Sequence, residues 1–258
     1  IVKIMHIPIK NESELKKMRR AGKILAEIMR EIQREVKPGV DTMRLDKLAE
    51  ELVFAHGGKA AFKGYGGKRN PFPATICASL NDEIVHGIPS ATRILKEGDI
   101  LKVDIGIEID GYFSDMARTF PVGKISKEAK KLSETAEKCF WKGVKKMKEG
   151  AKLSEYSRVA EKVASAAGFS VVRDLVGHGI GKKLHEDPQI PNYNEKYFRE
   201  INLKSGMTFA IEPMINAGSY ETTVGSDGWV FKTADGSLSA HYENTIAVTK
   251  NGVEVLTV

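Results

Sequence analysis

The stretch LKEGDILKVD, residues 95–104, is echoed later in the chain by LKSGMTFAIE, residues 203–212. Each copy has a turn glycine, then an apolar run, then one carboxylate at the same distance from that glycine. A carboxylate at the end of an apolar, strand-like run is costly to bury unless another group pairs with it. The same costly feature occurring twice predicts a duplicated fold that directs Asp104 and Glu212 at one shared site. A metal ion is the obvious occupant of such a site.

The helices ahead of these strands are also duplicated. Residues 39–57 and 150–168 have the same length, begin and end on glycine, and follow an amphipathic pattern in between. A terminal glycine is the usual C-terminal stop of a helix, so each segment predicts one helix. A further helical pattern precedes each of them, over about 12–35 and 127–148. The order of helix, helix and acid-ending strand therefore occurs twice.

A third block repeats between the helices and the strands. VHGI at 85–88 is echoed by GHGI at 177–180. One similar block arises easily by chance, but three blocks in the same order indicate an internal duplication. We therefore interpret residues 1–258 as a single domain of two αβ halves, about 11–121 and 122–258, related by a pseudo-two-fold axis.

Composition limits the class of protein. With 258 residues, 41% of them hydrophobic, the chain can bury a sizeable core. It has no apolar run long enough to cross a bilayer and no signal-peptide hydrophobic region, so we expect neither a membrane protein nor a secreted one. Two distant cysteines, Cys77 and Cys139, without a CxxC pair, favour a reducing cytoplasmic setting and argue against a zinc ribbon.

The positive charge of the chain is concentrated in helical stretches. The formal net charge is +6, and clusters of basic residues lie at 16–20 and 142–148. Most such runs are solvated helix faces, and that is the interpretation favoured here. Docking on an anionic surface is the alternative.

The segment 102–115 predicts a β-hairpin that carries two acids. Its residues alternate around Asp110-Gly111, a strong signal for a two-residue turn. With that turn, Asp104 faces Ala117, and Asp115 is its diagonal neighbour on the same face. Diagonal positions lie about 7–8 Å apart at the backbone, close enough for both carboxylates to reach one ion. The hairpin by itself leaves open the alternative that both acids face solvent.

A glycine-flanked histidine and two later acids supply the second half of a metal site. His178 lies in GHGIG, 177–181, where the bare backbone lets an imidazole approach an ion or substrate. Glu212 ends the duplicated strand, and Glu243 is expected at the start of a last strand. Imidazole suits borderline transition metals, whereas carboxylates alone suit magnesium, calcium or manganese. One histidine and four acids would suit two divalent ions with shared carboxylates, an arrangement typical of hydrolases.

Several of these segments resemble the type I methionine aminopeptidases. The signature of that family is matched by GHGIG (177–181), HEDP (185–188) and IPNY (190–193). Its other characteristic blocks are matched by SLNDEIVHGIP (79–89), IEP (211–213) and YENT (242–245). The blocks occur in order from about Glu12 to the C-terminus. The lack of a long insertion between Asn192 and Gly206, or between Glu212 and Glu243, resembles type I rather than type II.

The resemblance implies a fold and an activity. The fold is the α+β pita-bread (creatinase/aminopeptidase) fold, in which two pseudo-symmetric αβ halves surround a central antiparallel sheet. The activity is that of a metal-dependent aminopeptidase that removes the initiator methionine from nascent proteins and prefers a small second residue. Water activated by two metal ions attacks the peptide carbonyl. The implied partners are nascent polypeptide N-termini, with transient ribosome contact through the basic helices, no specific nucleic acid and a monomeric state.

The resemblance also implies the metal ligands. They fall on five residues: Asp104, Asp115, His178, Glu212 and Glu243. By this mapping Asp115 and Glu243 bridge two divalent ions. Asp104 serves one ion, and His178 with Glu212 serves the other. The ions would be cobalt, manganese, iron or zinc, since ligand type narrows the metal without choosing it.

Two further histidines match the non-ligand histidines of the family's active site. His86 and His185 are expected to bind the substrate's amide and carbonyl and to help move protons or stabilise the intermediate. Glu212 is the expected general base toward water. The other three histidines are not expected to be ligands: His6, His56 and His241.

The resemblance also implies a methionine pocket. Cys77 and Trp229 align with family pocket positions, and Phe72 lies near where an aromatic residue is usual. A polarisable thioether favours a lining of sulfur and aromatic surface. Residues 64–73, GYGGKRNPFP, differ in length from the matching segment of some relatives and are expected to form a loop on the substrate side.

Other proteins share this fold. Prolidase and aminopeptidase P cleave before proline, but they usually carry an extra N-terminal domain, whereas this chain starts almost directly with the catalytic helices. Their histidine block also differs from GHGIG at 177–181. Creatinase does not use this metal set. The alternative from another class is a non-catalytic pita-bread binding module, which loses metal ligands, whereas all five positions are filled here.

Overall fold

The computed structural model describes residues 6–195 and 200–258. Within these ranges the chain forms four α-helices: α1 (Glu12–Glu35), α2 (Thr42–Ala55), α3 (Lys127–Val144) and α4 (Ser154–Ala166). Between α2 and α3 lie β1 (Lys59–Ala60), β2 (Ile76–Leu80), β3 (Glu83–Val85), β4 (Ile100–Ile109) and β5 (Tyr112–Pro121). After α4 come β6 (Ser170–Val171), β7 (Gly177–Gly179), β8 (Glu186–Ile190), β9 (Thr208–Ile211), β10 (Met214–Asn216), β11 (Thr222–Val224), β12 (Phe231–Thr233), β13 (Ser239–His241), β14 (Asn244–Val248) and β15 (Val253–Val255). No helix in the described ranges is long and apolar enough to cross a membrane.

Helix α1 begins at a capping box. The Asn11 side chain accepts a hydrogen bond from Glu14 N at 3.1 Å, and the Glu14 carboxylate accepts one from Asn11 N at 2.9 Å. The two bonds satisfy backbone donors that the first helical turn would otherwise leave free. Asp41 caps α2 in a simpler way, by accepting a hydrogen bond from Arg44 N at 2.9 Å.

Helix α3 is shorter than the sequence pattern predicts. It ends at Val144 rather than near Lys148. Beyond that point Lys146 N and Met147 N donate to carbonyls three residues back, which is a tighter winding than an α-helix. The tighter turn places Met147 in the core, fully buried. Tertiary packing of this methionine therefore overrides the local helical pattern.

The predicted hairpin is formed by β4 and β5. Asp110 and Gly111 are its two loop residues, and both have positive φ angles, 52° and 77°, as a type I′ turn requires. Asp104 pairs with Ala117, as predicted from the turn. Asp115 is therefore the diagonal neighbour of Asp104 on the same face, so the predicted hairpin and its register are confirmed.

Two larger sheets carry the acid-bearing strands. In the first, β5 pairs with one edge of β4, while β1 and β2 pair with successive parts of the other edge. The second has the order β15-β14-β9-β7-β8. Two smaller sheets, β13-β10-β6 and β11-β12-β3, complete the arrangement, and the pairings within the described ranges are antiparallel. The predicted α+β fold with antiparallel sheets is confirmed.

Backbone hydrogen bonds between one pair of residues join the two larger sheets. Glu243 N donates to Ala117 O at 2.9 Å, and Ala117 N donates to Glu243 O at 3.4 Å. Glu243 lies just before β14, but β14 is not the last strand, because β15 follows and pairs with it. The expectation of a last strand after Glu243 was therefore wrong by one strand.

Each run of helices covers its own apolar core. Leu25 and Leu45, from α1 and α2, pack with Ile105 of β4, whereas Phe140 and Tyr156, from α3 and α4, belong to a second cluster. The order of two helices followed by antiparallel strands occurs before and after residue 121. On this basis we propose that the chain is a single domain of two related halves.

Candidate active site

One row of residues crosses the joined sheets. Cys77 of β2 pairs with Asp104 of β4, and Asp104 pairs with Ala117 of β5. Ala117 exchanges backbone hydrogen bonds with Glu243, and continuing the register of β9 with β14 places Glu212 opposite Glu243. The acids that close the two duplicated strands are therefore brought into one row, although about a hundred residues separate them in the sequence.

Asp115 and His178 lie beside this row. Asp115 is diagonal to Asp104 in the hairpin. His178 of β7 pairs with Ala210, two residues before Glu212, and side chains two residues apart on a strand share a face. His178 Nε2 lies 4.0 Å from Asp115 Oδ2 and 3.6 Å from Glu212 Oε1. The structure thus brings the five predicted metal ligands together.

The ring of His178 is oriented by its own strand. His178 Nδ1 lies 2.8 Å from the carbonyl oxygen of Gly179. Because a carbonyl only accepts hydrogen bonds, Nδ1 carries the proton and Nε2 presents its lone pair to the acids. Burial lowers the pKa of His178 to about 3, so the ring is neutral. A neutral imidazole in this tautomer is what a metal ion requires.

The four acids share one buried environment. Burial, with mutual repulsion between the acids as the second cause, raises the pKa of Asp104, Glu212 and Glu243 well above the ordinary values. Burial also raises the pKa of Asp115 to about 7. Charged carboxylates are therefore unfavourable here without a cation.

Several polar atoms of this site are left without partners. Asp104 Oδ1, Asp115 Oδ1 and Glu243 Oε1 are buried and have no hydrogen-bond partner in the part of the chain that the structure describes. Buried oxygens in native proteins are normally satisfied, so a missing partner needs an explanation. A divalent cation explains both features, because it accepts oxygen ligands and favours the ionised acids. The residues present therefore fit a metal centre.

The potential ligand atoms form two groups, each compact enough to hold one metal ion. Among the described residues, atoms within 4.8 Å of one another come from Asp115, His178 and Glu243, and from Glu212, His241 and Glu243. Glu243 belongs to both groups, as a residue shared by two ions would. Asp104 lies in neither group, and His178 and Glu212 fall in different groups, although His178 Nε2 lies 3.6 Å from Glu212 Oε1. No ligand role is expected for His241 from the sequence, yet the structure places its ring in the second group.

The two predicted non-ligand histidines line the same cavity. This cavity has a volume of about 1260 Å³, and its walls include His86, His185 and the metal-site residues Asp104, His178 and Glu212. Burial lowers the pKa of His86 to about 4 and also lowers that of His185. Both rings are therefore neutral and can each donate one hydrogen bond and accept another.

His185 is held by the loop at residues 64–73. Its Nδ1 lies 2.6 Å from Tyr65 Oη, and its ring centroid lies 4.3 Å from that of His178. Phe72 is the one residue of this loop that the sequence assigns, so Tyr65 was missed. A glycine-rich loop has no periodicity from which the direction of one side chain can be predicted, and only the tertiary contact identifies it.

An apolar pocket adjoins the metal site. Phe72 and Cys77 are buried in one cluster, and Trp229 packs against it. The Phe72 and Trp229 rings meet edge to face at 5.3 Å between centroids. Gly66, with a φ of 94°, lies so close to Trp229 that a Cβ there would be 2.4 Å from the indole. The three predicted pocket residues therefore lie together, and Cys77 connects them to Asp104 through its strand pairing.

The buried acids give the metal-free protein an unusual pH dependence. A folded-state pKa above the unfolded value adds stability below the unfolded pKa, and this stability is lost as pH rises through the folded pKa. The raised pKa values of the four acids therefore destabilise the protein as pH rises through about 7 and beyond. The buried histidines do not offset this loss above about pH 6.5, since unfolded histidine is then already neutral. We expect the midpoint temperature of thermal unfolding of chelator-treated protein to decrease as the pH is raised from about 6.5 to about 8.5.

Lys102 changes the pH dependence of stability in the opposite direction, so the control variant must retain it. Burial lowers the pKa of Lys102 to about 7, so this group alone would add stability over the same interval. Glu243→Gln removes one acid and keeps Lys102, so its midpoint should fall less than that of the wild type. A wild-type midpoint that rises, or an equal fall in both proteins, would contradict the assignment.

Comparisons with known proteins agree with this geometry. The profile of metallopeptidase family M24 matches residues 16–250. A methionine aminopeptidase from Clostridium acetobutylicum is 48% identical over 251 residues, which cover 97% of this chain and 98% of that protein. The crystal structure of a methionine aminopeptidase from Thermotoga maritima is similar with a TM-score of 0.93 and 41% identity, and the match covers 98% of this chain and 99% of the other.

The alternative peptidases are matched less well. A Xaa-Pro dipeptidase from Bacillus anthracis has a TM-score of 0.76 at 24% identity, and this chain covers 61% of its length. That likeness shows a common fold and no more. The full-length match to the other relatives decides between them: the chain belongs to metallopeptidase family M24, among its methionine aminopeptidases.

Proposed function

We propose that this chain removes the N-terminal methionine from nascent proteins and prefers a small second residue. The observation that carries the proposal is the buried group of imidazole and carboxylates, contributed by both halves, several of whose polar atoms lack partners among the described residues. An apolar pocket with sulfur and aromatic lining adjoins that group, and it suits a thioether side chain. The substrate and its small second residue are taken from the similarity to methionine aminopeptidases.

In this proposal five residues hold two divalent ions: Asp104, Asp115, His178, Glu212 and Glu243. Such ions supply Lewis acidity toward a peptide carbonyl and lower the pKa of water. Glu212 takes the proton that the attacking water gives up. Its place at the cavity wall, with Oε1 3.6 Å from His178 Nε2, supports this role.

His86 and His185 bind the substrate's backbone. With Tyr65 Oη–H donating to His185 Nδ1, the proton of His185 sits on Nε2, from which it can be donated to a substrate carbonyl. The centroid of the His86 ring lies 6.1 Å from that of Trp229 and 5.8 Å from that of Phe231. These contacts restrict the ring and leave Nδ1 without a partner in the described chain, free for the substrate amide.

Phe72→Leu tests the pocket. Leucine keeps the site apolar but removes the aromatic edge that meets Trp229. We expect KM for a Met-Ala peptide to rise by about ten-fold with little change in kcat, because the lost contact binds the side chain and not the reacting carbonyl. Phe54→Leu is the matched control, since Phe54 is 83% exposed. Steady-state kinetics with equal KM for all three proteins would place methionine elsewhere.

We extend the proposal to the setting of the enzyme. The chain acts as a cytoplasmic monomer on nascent N-termini, and the basic faces of α1 and α3 make transient contact with the ribosome. The net charge of +6 and the lysines of these helices support an anionic docking surface. Both cysteines are free and buried, which suits a reducing compartment.

The activity is tested with metal-stripped protein under reducing, anaerobic conditions. Divalent metals are restored one at a time, and peptides beginning Met-Ala, Met-Lys and Ala-Pro are supplied together. Mass spectrometry follows the loss of N-terminal residues. We expect metal-dependent loss of methionine from the Met-Ala peptide alone. Cleavage before proline would assign a prolidase activity instead, and no cleavage by folded protein with any metal would favour the binding-module alternative.

A further inference from the structure

His241 is a third imidazole at the metal site. Its side chain is 1% exposed, and His241 Nε2 lies 3.7 Å from Glu212 Oε2 and 3.8 Å from Glu243 Oε2. Neither ring nitrogen has a hydrogen-bond partner among residues 6–195 and 200–258. A buried imidazole with both nitrogens unsatisfied is costly, so a partner that the described residues do not provide is required.

The backbone fixes the direction of this ring. Thr119 Oγ1 donates to His241 O at 2.8 Å and accepts from His241 N at 3.0 Å. His241 and Glu243 are two residues apart, so in an extended segment they share a face. Tyr242, between them, lies on the other face, with its ring 4.2 Å from the Arg118 guanidinium and 5.4 Å from the ring of Phe140. The fold therefore holds His241 toward the acids.

The spacing suits ligation better than a hydrogen bond. Distances of 3.7 and 3.8 Å are too long for hydrogen bonds, which are lost at about 3.6 Å. Two ligand atoms on one tetrahedral ion, each about 2.1 Å from it, lie about 3.4 Å apart. The expected ligand His178 shows a similar spacing, 3.6 and 4.0 Å, to its own carboxylate oxygens. Each imidazole therefore lies near one carboxylate oxygen of Glu212, His178 near Oε1 and His241 near Oε2.

We propose that His241 Nε2 is a ligand of the ion held by Glu212 Oε2 and Glu243 Oε2, so that each ion of the pair has one imidazole. The proposal rests on the metal-dependent function proposed above. It leaves Glu212 Oε1, beside His178, as the oxygen that accepts a proton. A second nitrogen ligand also biases the centre toward zinc, iron or cobalt and away from manganese, which prefers oxygen.

The test measures metal binding and not activity, so its outcome is separate from that of the proposed function. X-ray absorption of wild type loaded with two zincs per chain should show one imidazole per zinc on average, and His241→Gln loaded with two zincs per chain should show half that number. Zinc titration of the stripped proteins should show a loss of affinity at one of the two sites of about 100-fold or more, since even outer residues change affinity by 10–100-fold. Manganese affinity should change by less than about ten-fold.

His56→Gln is the matched control, because His56 is exposed at the end of α2 and its replacement removes one imidazole without touching the site. One imidazole per two zincs in the wild type would overturn the proposal, whether or not the variant folds. An unchanged imidazole count per zinc in folded His241→Gln that holds two zincs would also overturn it, even with weaker zinc binding, since His241 would then only orient Glu212.

Discussion

Glu243→Gln is expected to lower turnover of a Met-Ala peptide by about 1000-fold or more and to reduce bound metal from two ions to one or none. Glu243 is the residue common to both groups of ligand atoms, and it is 2% exposed. Glutamine keeps the size of the side chain but has no negative charge, so it removes the attraction for both ions at once. Asp115→Ala should act in the same way, because Asp115 is the expected second bridge.

Metal content by mass spectrometry and turnover are measured on the same preparations. Glu51→Gln is the control, because Glu51 is an exposed glutamate on α2. It should keep both metal and activity. If Glu243→Gln retained two ions and normal turnover, the bridging assignment would be lost.

His86→Asn is expected to lower kcat by about 100-fold or more while metal content stays at the wild-type level. His86 has a φ of 60°, in the left-handed region, which asparagine accepts better than alanine does. Asparagine therefore preserves the backbone while removing the imidazole. The expected loss comes from one hydrogen-bonding group in contact with the substrate. Metal content should not change, because in the described ranges His86 is not the strand partner of any predicted metal ligand.

The separation of kcat from metal content decides the role of His86. Loss of metal in the variant would make His86 a ligand. Unchanged kcat with full metal would remove it from the catalytic residues. His86→Ala also removes the imidazole, but it adds backbone strain at this position. The difference in thermal stability between His86→Ala and His86→Asn would therefore measure that strain separately from catalysis.

Local patterns were sufficient for the elements that carry the site. The Asp110-Gly111 turn set the register of β4 with β5, since a two-residue loop allows only one pairing. That register alone is enough to put Asp104 and Asp115 on one face of the hairpin. The helices were predicted from amphipathic repeats and glycine stops, and the error at the end of α3 arose where a buried Met147 imposed a tighter turn.

Contacts between distant segments could not be predicted in this way. Tyr65 reaches His185 across 120 residues, and no repeat or turn signal links them. His241 had a usable signal, because it lies two residues before Glu243 and so faces the same side of an extended chain. Its place beside the acids was still missed, since a sequence pattern predicts which side a residue faces and not which groups lie opposite.

The sequence by itself determined the family, the duplicated order of elements, the hairpin and the identity of the acids and histidines that the structure brings together. The tertiary structure decided how the halves meet. The hydrogen bonds between Ala117 and Glu243 join the two sheets, and across this junction His178 lies beside Asp115 and His241 lies beside Glu212. The physical reason is that periodicity and turn chemistry act over a few residues, whereas burial and metal-sized spacing arise only when segments far apart in the chain pack together.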